Sequence, residues 1–441
     1  MSGVAQTRSQ QALGATLVGL VAGVVSLGRL WLGNSQAITK NLWAEDGLFA
    51  LCIRKADFAT CLTDPFAGYL LFLPRVLAWR VSLTPWESWA LVSNLTAAIL
   101  AGLIAALVFV IARGARFGWF VSVGIALLPV ITPMVGLEAL NSLGSSYMLL
   151  LFAATLAVLF GPNRGTGWTV FVAVFLLITA LTIPSAVVVL MILFVQFLRG
   201  AVTSRSALAW GLALVLGLAA QAFVALTATT RRPVQLTQDS LNAWADSVPT
   251  SILTFWPGLS LGEYSFFTNF TLAPLPWTGW LAVGLVLALG IWQLVAGWRT
   301  IESNGAAIGL LLLSGLAFGL IPSAIGYANN RYFVVPLLLW AAAVLVWLDP
   351  LIRRTRPWVL VAVTVLVALV WWPAIPVSEY RSTPAPEWTA EVARVEAKCL
   401  SDPAFVDRPI FSPFWPPNWG DGLDEPTHPN LPCVTVFRWL P

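Results

Sequence analysis

Two adjacent carboxylates, Glu45 and Asp46, lie in the stretch Trp43-Ala44-Glu45-Asp46-Gly47, directly after the first long apolar run of the chain. A carboxylate at the edge of a hydrocarbon layer loses hydration, so it needs a partner or a task there. The task it suits is general-base chemistry: it takes the proton of an acceptor hydroxyl while a lipid tail on the other reactant stays in the bilayer. An adjacent pair also suits a hard divalent cation such as Mg or Ca. The structural alternative is that Asp46 caps a helix starting at Gly47, a position Asp favours, with Trp43 as an ordinary interfacial aromatic.

The cations that could meet an anionic group are few. Arg331, in Asn329-Asn330-Arg331-Tyr332, precedes a late apolar run, and a lone arginine there fits a phosphate or snorkels to the headgroups. Arg231-Arg232 has the same two readings, and Arg75 and Arg80 can reach headgroups or a lipid phosphate. Glu138 and Asn141, with Ser142, Ser145, Ser146 and Tyr147 close by, either line the same cavity or form a solvated turn. His428 is the only histidine, so a His-based metal cluster is excluded and a surface role is the plain reading.

The elements that must position these groups are apolar. Of 441 residues 58% are hydrophobic and 10% charged, where soluble domains carry about a quarter charged; the mean hydropathy is +0.82. This is an all-α polytopic membrane protein. About eleven spans are predicted, near 12–32, 86–112, 117–136, 144–160, 168–182, 184–199, 206–228, 277–297, 305–325, 331–348 and 358–376. Pro184 predicts a tight hairpin or a re-entrant pair between the two short ones. With the N-terminus inside, the inner loops collect Arg8, Arg113, Arg116, Arg164, Arg199, Arg205, Arg299, Arg353, Arg354 and Arg356 against only Glu302 and Asp349. The positive-inside rule then places the N-terminus in the cytoplasm and the C-terminus outside. Arg8 and the run after it read as a span rather than a cleaved leader, because the run is long and ends in Arg29 and Trp31.

The chain thus divides into a transmembrane unit, 1–376, and a small extracytoplasmic tail, 377–441. The first outer loop, 33–85, carries two interfacial helices, one over 47–58 and one within 66–83. A large outer loop spans 229–276, and the tail contains a helix near 384–400. Cys52 and Cys61 share the first outer loop, and Cys399 and Cys433 share the tail. Two outside pairs predict two disulfides in an oxidising compartment, against the alternative of free thiols. A tail this small needs such a staple.

Nucleotide-binding glycine loops and a Gly-x-Ser-x-Gly elbow are absent. No soluble domain faces the cytoplasm, which argues against a nucleotide-sugar donor used inside. Nothing in the charge pattern points to nucleic acid.

In its architecture, over most of 12–376, the chain resembles the GT-C superfamily of membrane glycosyltransferases. The resemblance rests on the acidic pair Glu45-Asp46 in a long first outer loop, the interfacial helices of that loop, and the late outer Asn330-Arg331-Tyr332 before an apolar span. The string Trp43 to Asp46, with Gly68-Tyr69 and Leu73-Pro74-Arg75 downstream, is similar to uncharacterised actinobacterial members. The resemblance implies an inverting transfer of sugar from a polyprenyl-phosphate donor to an extracytoplasmic glycan, lipid or protein. Asp46 would be the base, Glu45 would orient it or bind a cation, Arg331 would hold the donor phosphate, and Glu138 would be a second acidic residue. The tail is far smaller than the carbohydrate-binding modules of the arabinosyltransferases, and the Glu-Asp order leaves open which carboxylate is the base. The rival classes are a lipid-linked sugar flippase, which favours midplane polar groups, and a non-catalytic scaffold of envelope assembly.

Overall fold

The computed structural model describes residues 2–33, 35–42, 45–55, 58–66, 68–136, 140–161, 165–228, 236–254, 276–298, 304–324, 330–371, 388–402, 406–407 and 431–432. The chain folds as a polytopic helical membrane protein. It opens with α1 (Ser2–Gly33), then a short α2 (Ala37–Lys40) and the helices of the first loop: α3 (Glu45–Lys55), α4 (Phe58–Thr63) and α5 (Phe72–Ser82). The bundle continues through α6 (Trp89–Gly114), α7 (Trp119–Ile131), α8 (Tyr147–Phe160), α9 (Thr166–Thr182), α10 (Val187–Leu198) and α11 (Ser204–Thr227). Then come α12 (Gln238–Thr254), α13 (Pro276–Ala296), α14 (Gly305–Ala324), α15 (Val334–Ile352), α16 (Pro357–Trp371) and the tail helix α17 (Trp388–Ser401). Val406–Asp407 and Leu431–Pro432 pair antiparallel, a small departure from the all-α expectation.

Among the described residues six stretches are long and apolar enough to cross a membrane: Ser9–Gly33, Trp86–Gly114, Ser204–Thr227, Trp277–Ala296, Gly305–Ala324 and Val334–Ile352. Five shorter apolar helices accompany them: Trp119–Ile131, Gly144–Phe160, Thr166–Thr182, Pro184–Leu198 and Pro357–Leu369. A helix that is apolar all round belongs inside a bundle. α8 is that helix, buried from Met148 to Leu159, with α6, α9, α10 and α15 packed around it. The expected hairpin at Pro184 is a 3-10 turn, Pro184–Ala186, between α9 and α10.

Small residues set the closest helix approaches, as they do where lipid offers no hydrophobic driving force. Gly19 and Gly23 of α1, four apart, lie on Gly102 and Ala98 of α6; a Cβ on Gly102 would stand 2.6 Å from the Gly19 carbonyl oxygen. α13 and α14 meet the same way, a Cβ on Gly309 falling 2.5 Å from the Gly290 oxygen.

Buried polar side chains then close the backbone accounts that the apolar runs leave open. At 13 residues, α7 is about 20 Å long, shorter than a hydrocarbon layer of about 30 Å. Its terminal carbonyls are met by Arg29, 1% exposed, whose guanidinium donates to Val130 O (2.8 Å), Thr132 O (2.9 Å) and Pro133 O (3.3 Å). Gln221 of α11 accepts from Leu70 N (2.8 Å) and donates to the carbonyls of Leu70, Ala180 and Leu181. Together with the Leu73 N bond to Thr182 Oγ1, this fixes the first loop to the ends of α9 and α11. At the other end of the bundle Asp349 accepts from Gly118 N (2.8 Å) and pairs with Arg353, while Arg199 donates to Gly297 O.

Candidate functional site

The approach to the acidic motif is fixed before the motif begins. Asn94 of α6 points its amide at the carbonyls of Ala37, Ile38 and Asn41, so α2 and the strand leading from it sit on α6. Residues 43–44 lie outside the described set, and α3 starts at Glu45. The helix therefore includes the acidic pair, and Asp46 is not the cap of a helix starting at Gly47.

Asp46 caps a different helix. Its carboxylate is 1% exposed and turned toward the entrance of α8. One oxygen accepts from Gly144 N (2.7 Å) and from Ser142 Oγ (3.4 Å), the other from Leu143 N (3.0 Å). Ser142 Oγ in turn accepts from Ser145 N (3.2 Å), so a hydroxyl and a distant carboxylate together satisfy the N–H groups that a helix start leaves open. Asn141, just before, adopts a positive φ of 52°, which Asn tolerates. It exchanges two 2.7 Å bonds with Ser26 of α1, which ties the turn to the first helix. Glu45 is in the first turn of α3, and its side chain lies outside the described set.

A narrow crevice beside this turn, lined by residues that include Ala97, Pro129, Asn141, Ser142, Ser146 and Leu149, has no room for a water. Ser146, 1% exposed, has a hydroxyl with no hydrogen-bond partner among the described residues.

The expected Cys52–Cys61 disulfide is formed and joins α3 to α4. Arg75 is drawn into the same loop, 4% exposed. It donates to Cys61 O, lies 3.7 Å from Asp64 and covers the Phe49 ring at 5.4 Å. Burial pushes its guanidinium below the usual arginine value, and Asp64 acts in the opposite sense. Its two terminal nitrogens hold the loop together instead of reaching a headgroup. Phe49, Phe66 and Tyr69 stack edge to face beside it.

Arg331 rides on a 3-10 turn, Asn330–Phe333. That turn packs against α12, α14 and the Pro133–Gly136 turn. Phe333 is buried on Gly319 beside Trp244 of α12. The side chains of Asn330 and Arg331 lie outside the described set, as do all of Glu138 and Arg231-Arg232; Tyr332 is half-buried. The segment 133–146 thus touches the Arg331 turn at one end and holds Asp46 at the other. α12 itself fills part of the 229–276 loop, which the sequence reading left without a helix. In α12, burial raises the Asp246 carboxyl above its usual range.

The tail docks on the first loop. α17 packs against the Trp86–Ser88 turn, and Cys399, disulfide-bonded, is buried in a cluster with Leu42, Phe49, Trp86, Trp89 and Leu143. Cys433 lies outside the described residues. Among the described residues no group of three or more His, Cys, Asp or Glu could hold a metal ion, and the donors on Asp46 occupy the oxygens that a Glu45-Asp46 cation site would use. Asn94, Gln221 and the Ser142–Gly144 amides were not singled out in the sequence; for the first two the readable signal is a polar amide inside an apolar run.

No protein-family model, curated protein or solved structure matches the chain.

Proposed function

We propose that the protein is a membrane glycosyltransferase that moves a sugar, with inversion, from a polyprenyl-phosphate donor to a glycan, lipid or protein acceptor on the extracytoplasmic side of the cell membrane. One observation carries the reading: a single segment, 133–146, contacts both the turn bearing Arg331 and the acidic helix α3. Displacement of a polyprenyl phosphate needs a base on the acceptor hydroxyl and positive charge on the leaving phosphate, and this segment links one source of each. In this reading Arg331, with Asn330 and Tyr332, takes the donor phosphate, Arg231 and Arg232 are further candidates for it, and Glu138 and Asn141 are candidates for the acceptor.

The topology that goes with it has eleven crossings, N-terminus in and C-terminus out. Contacts between chain-distant segments support that count by parity, since groups that touch share a side. The bond of Asp46 to Leu143 is in keeping with a pair of crossings by α6 and α7. Those of Leu73 to Thr182 and Phe117 to Phe160 are in keeping with α8 and α9, and that of Leu70 to Gln221 with α10 and α11. Gly118 on Asp349 and Cys399 in the Phe49 cluster are in keeping with a crossing by α16.

A flippase would favour polar groups near the midplane, but Arg29 is engaged with the carbonyls at the end of α7. The scaffold reading draws on the docked tail and predicts that Glu45 and Asp46 are dispensable while the tail is not. The test is transfer by purified protein from synthetic polyprenyl-phosphate arabinose, mannose, glucose and galactose. Transfer or donor hydrolysis with one of them is expected; silence across the panel with folded protein would overturn the reading.

A further inference from the structure

The acidic pair invites a single role for both carboxylates, yet the hydrogen bonds of Asp46 give that residue a task of its own. A general base must meet the substrate hydroxyl within about 2.6–3.2 Å, directly or through one water. Asp46 is 1% exposed, and its two oxygens already take Leu143 N, Gly144 N and Ser142 Oγ. Buried and already holding three donors, this carboxylate leaves an incoming hydroxyl no open approach. Ser142 is itself held by Ser145 N, and Asn141 by Ser26, so the turn has no slack toward α1.

We infer that Asp46 is a positioning residue: it clasps the start of α8 to α3 across the chain, and thereby sets the crevice beside Ser142 and Ser146 against the first outer loop, while Glu45 is the carboxylate that meets the acceptor. This rests on the glycosyltransferase reading for its chemistry and on the hydrogen bonds alone for the clasp. In the transfer step the acceptor O–H gives its proton to the Glu45 carboxylate, and its oxygen bonds to the anomeric carbon. The bond from that carbon to the phosphate oxygen breaks, and its electron pair leaves on the polyprenyl phosphate.

Asn in place of Asp46 keeps one acceptor oxygen but turns an NH2 toward a backbone donor, so the clasp weakens without loss of volume. The experiment compares wild type, D46N, S142A and E45Q in detergent by hydrogen exchange and by the pH dependence of transfer. D46N is expected to speed exchange of the Leu143 and Gly144 amides by about tenfold or more, the loss of one net hydrogen bond. It should lower transfer while keeping the acid limb of the pH profile. S142A, which retains the carboxylate, is expected to move exchange in the same direction by less, and it carries the clasp test should D46N not fold. E45Q should leave exchange as in wild type and lower transfer about 10²–10⁴-fold, the range for a lost base, with the acid limb gone. Wild-type exchange in D46N and S142A, or loss of the acid limb in D46N with retention in E45Q, would overturn the assignment. If wild type transfers no sugar, the glycosyltransferase reading falls and Glu45 with it, while the exchange comparison still decides the clasp.

Discussion

Gln221 offers the sharpest stability test, because one side chain holds the first outer loop to two helices. Its Oε1 takes the Leu70 amide at 2.8 Å, and its Nε2 faces the carbonyls of Leu70 (3.1 Å), Ala180 (3.1 Å) and Leu181 (2.9 Å). An amide has two hydrogens, so these three acceptors share two full bonds. Leucine at this site keeps the volume and removes every bond. The stranded Leu70 N–H, buried among apolar neighbours, costs about 1–3 kcal/mol, and the two shared bonds add about 1–2 kcal/mol. Burial of a more apolar side chain returns about 1 kcal/mol, leaving a net loss of about 1–4 kcal/mol. Q221L should therefore unfold at a lower temperature in tryptophan-fluorescence melts of the detergent-solubilised protein, and protease should cut the 58–72 stretch sooner than in wild type. An unchanged melting point with unchanged protection would refute the claim that this bolt secures the loop.

Three further outcomes are expected. Replacing Cys52 and Cys61 by serine opens a loop with a sequence separation of 9, which chain entropy values at about 2–3 kcal/mol; reductant should destabilise wild type but leave that arm of the double variant unmoved, as read in thermal melts. Asp246 has its carboxyl raised by burial, so folding favours its protonated form: the penalty stands in full above the folded value and fades as pH falls from there toward the ordinary aspartate value. D246N should accordingly stabilise at neutral pH and lose that advantage near pH 4 and below, and a constant advantage across the range would sink the reasoning. Gly102→Ala puts a Cβ 2.6 Å from the Gly19 carbonyl oxygen, so α1 and α6 must part at a cost of about 1–3 kcal/mol; a disulfide trapped between cysteines placed along the two helices should form more slowly in the variant.

The spans were legible because uninterrupted apolar runs need no partner information, and the helices at Trp86–Gly114, Gly144–Phe160 and Ser204–Thr227 fall where hydropathy puts them. Helices at Glu45–Lys55 and Phe72–Ser82 of the first loop and the Cys52–Cys61 bond followed from amphipathic spacing and shared location. α12 escaped because Pro249 and a mixed polar surface hide its periodicity, and its buried Trp244, Ala245 and Val248 make sense only once α13 and α14 are beside it. The close approach of Gly19 and Gly23 to Gly102 was not read from the sequence, because the pairing of α1 with α6 is a product of the fold. Asp46 shows the limit most plainly. A sequence offers an aspartate only its own neighbours to cap, yet the N–H groups it satisfies belong to Leu143 and Gly144, about a hundred residues away in the chain. Arg75 likewise read as a headgroup ligand because the Cys61 carbonyl and Phe49 ring that enclose it are products of the fold.

The central claim is that the acidic helix and the Arg331 turn serve one site, and donor binding separated from turnover tests it most directly. Binding of the active polyprenyl-phosphate sugar would be measured for wild type, R331A and E45Q, followed by transfer from saturating donor. The account predicts that R331A weakens donor binding about 10–100-fold, the worth of a charge-assisted phosphate contact, whereas E45Q binds donor as wild type does and fails to transfer it. Wild-type binding by R331A, or full transfer by E45Q, would contradict it.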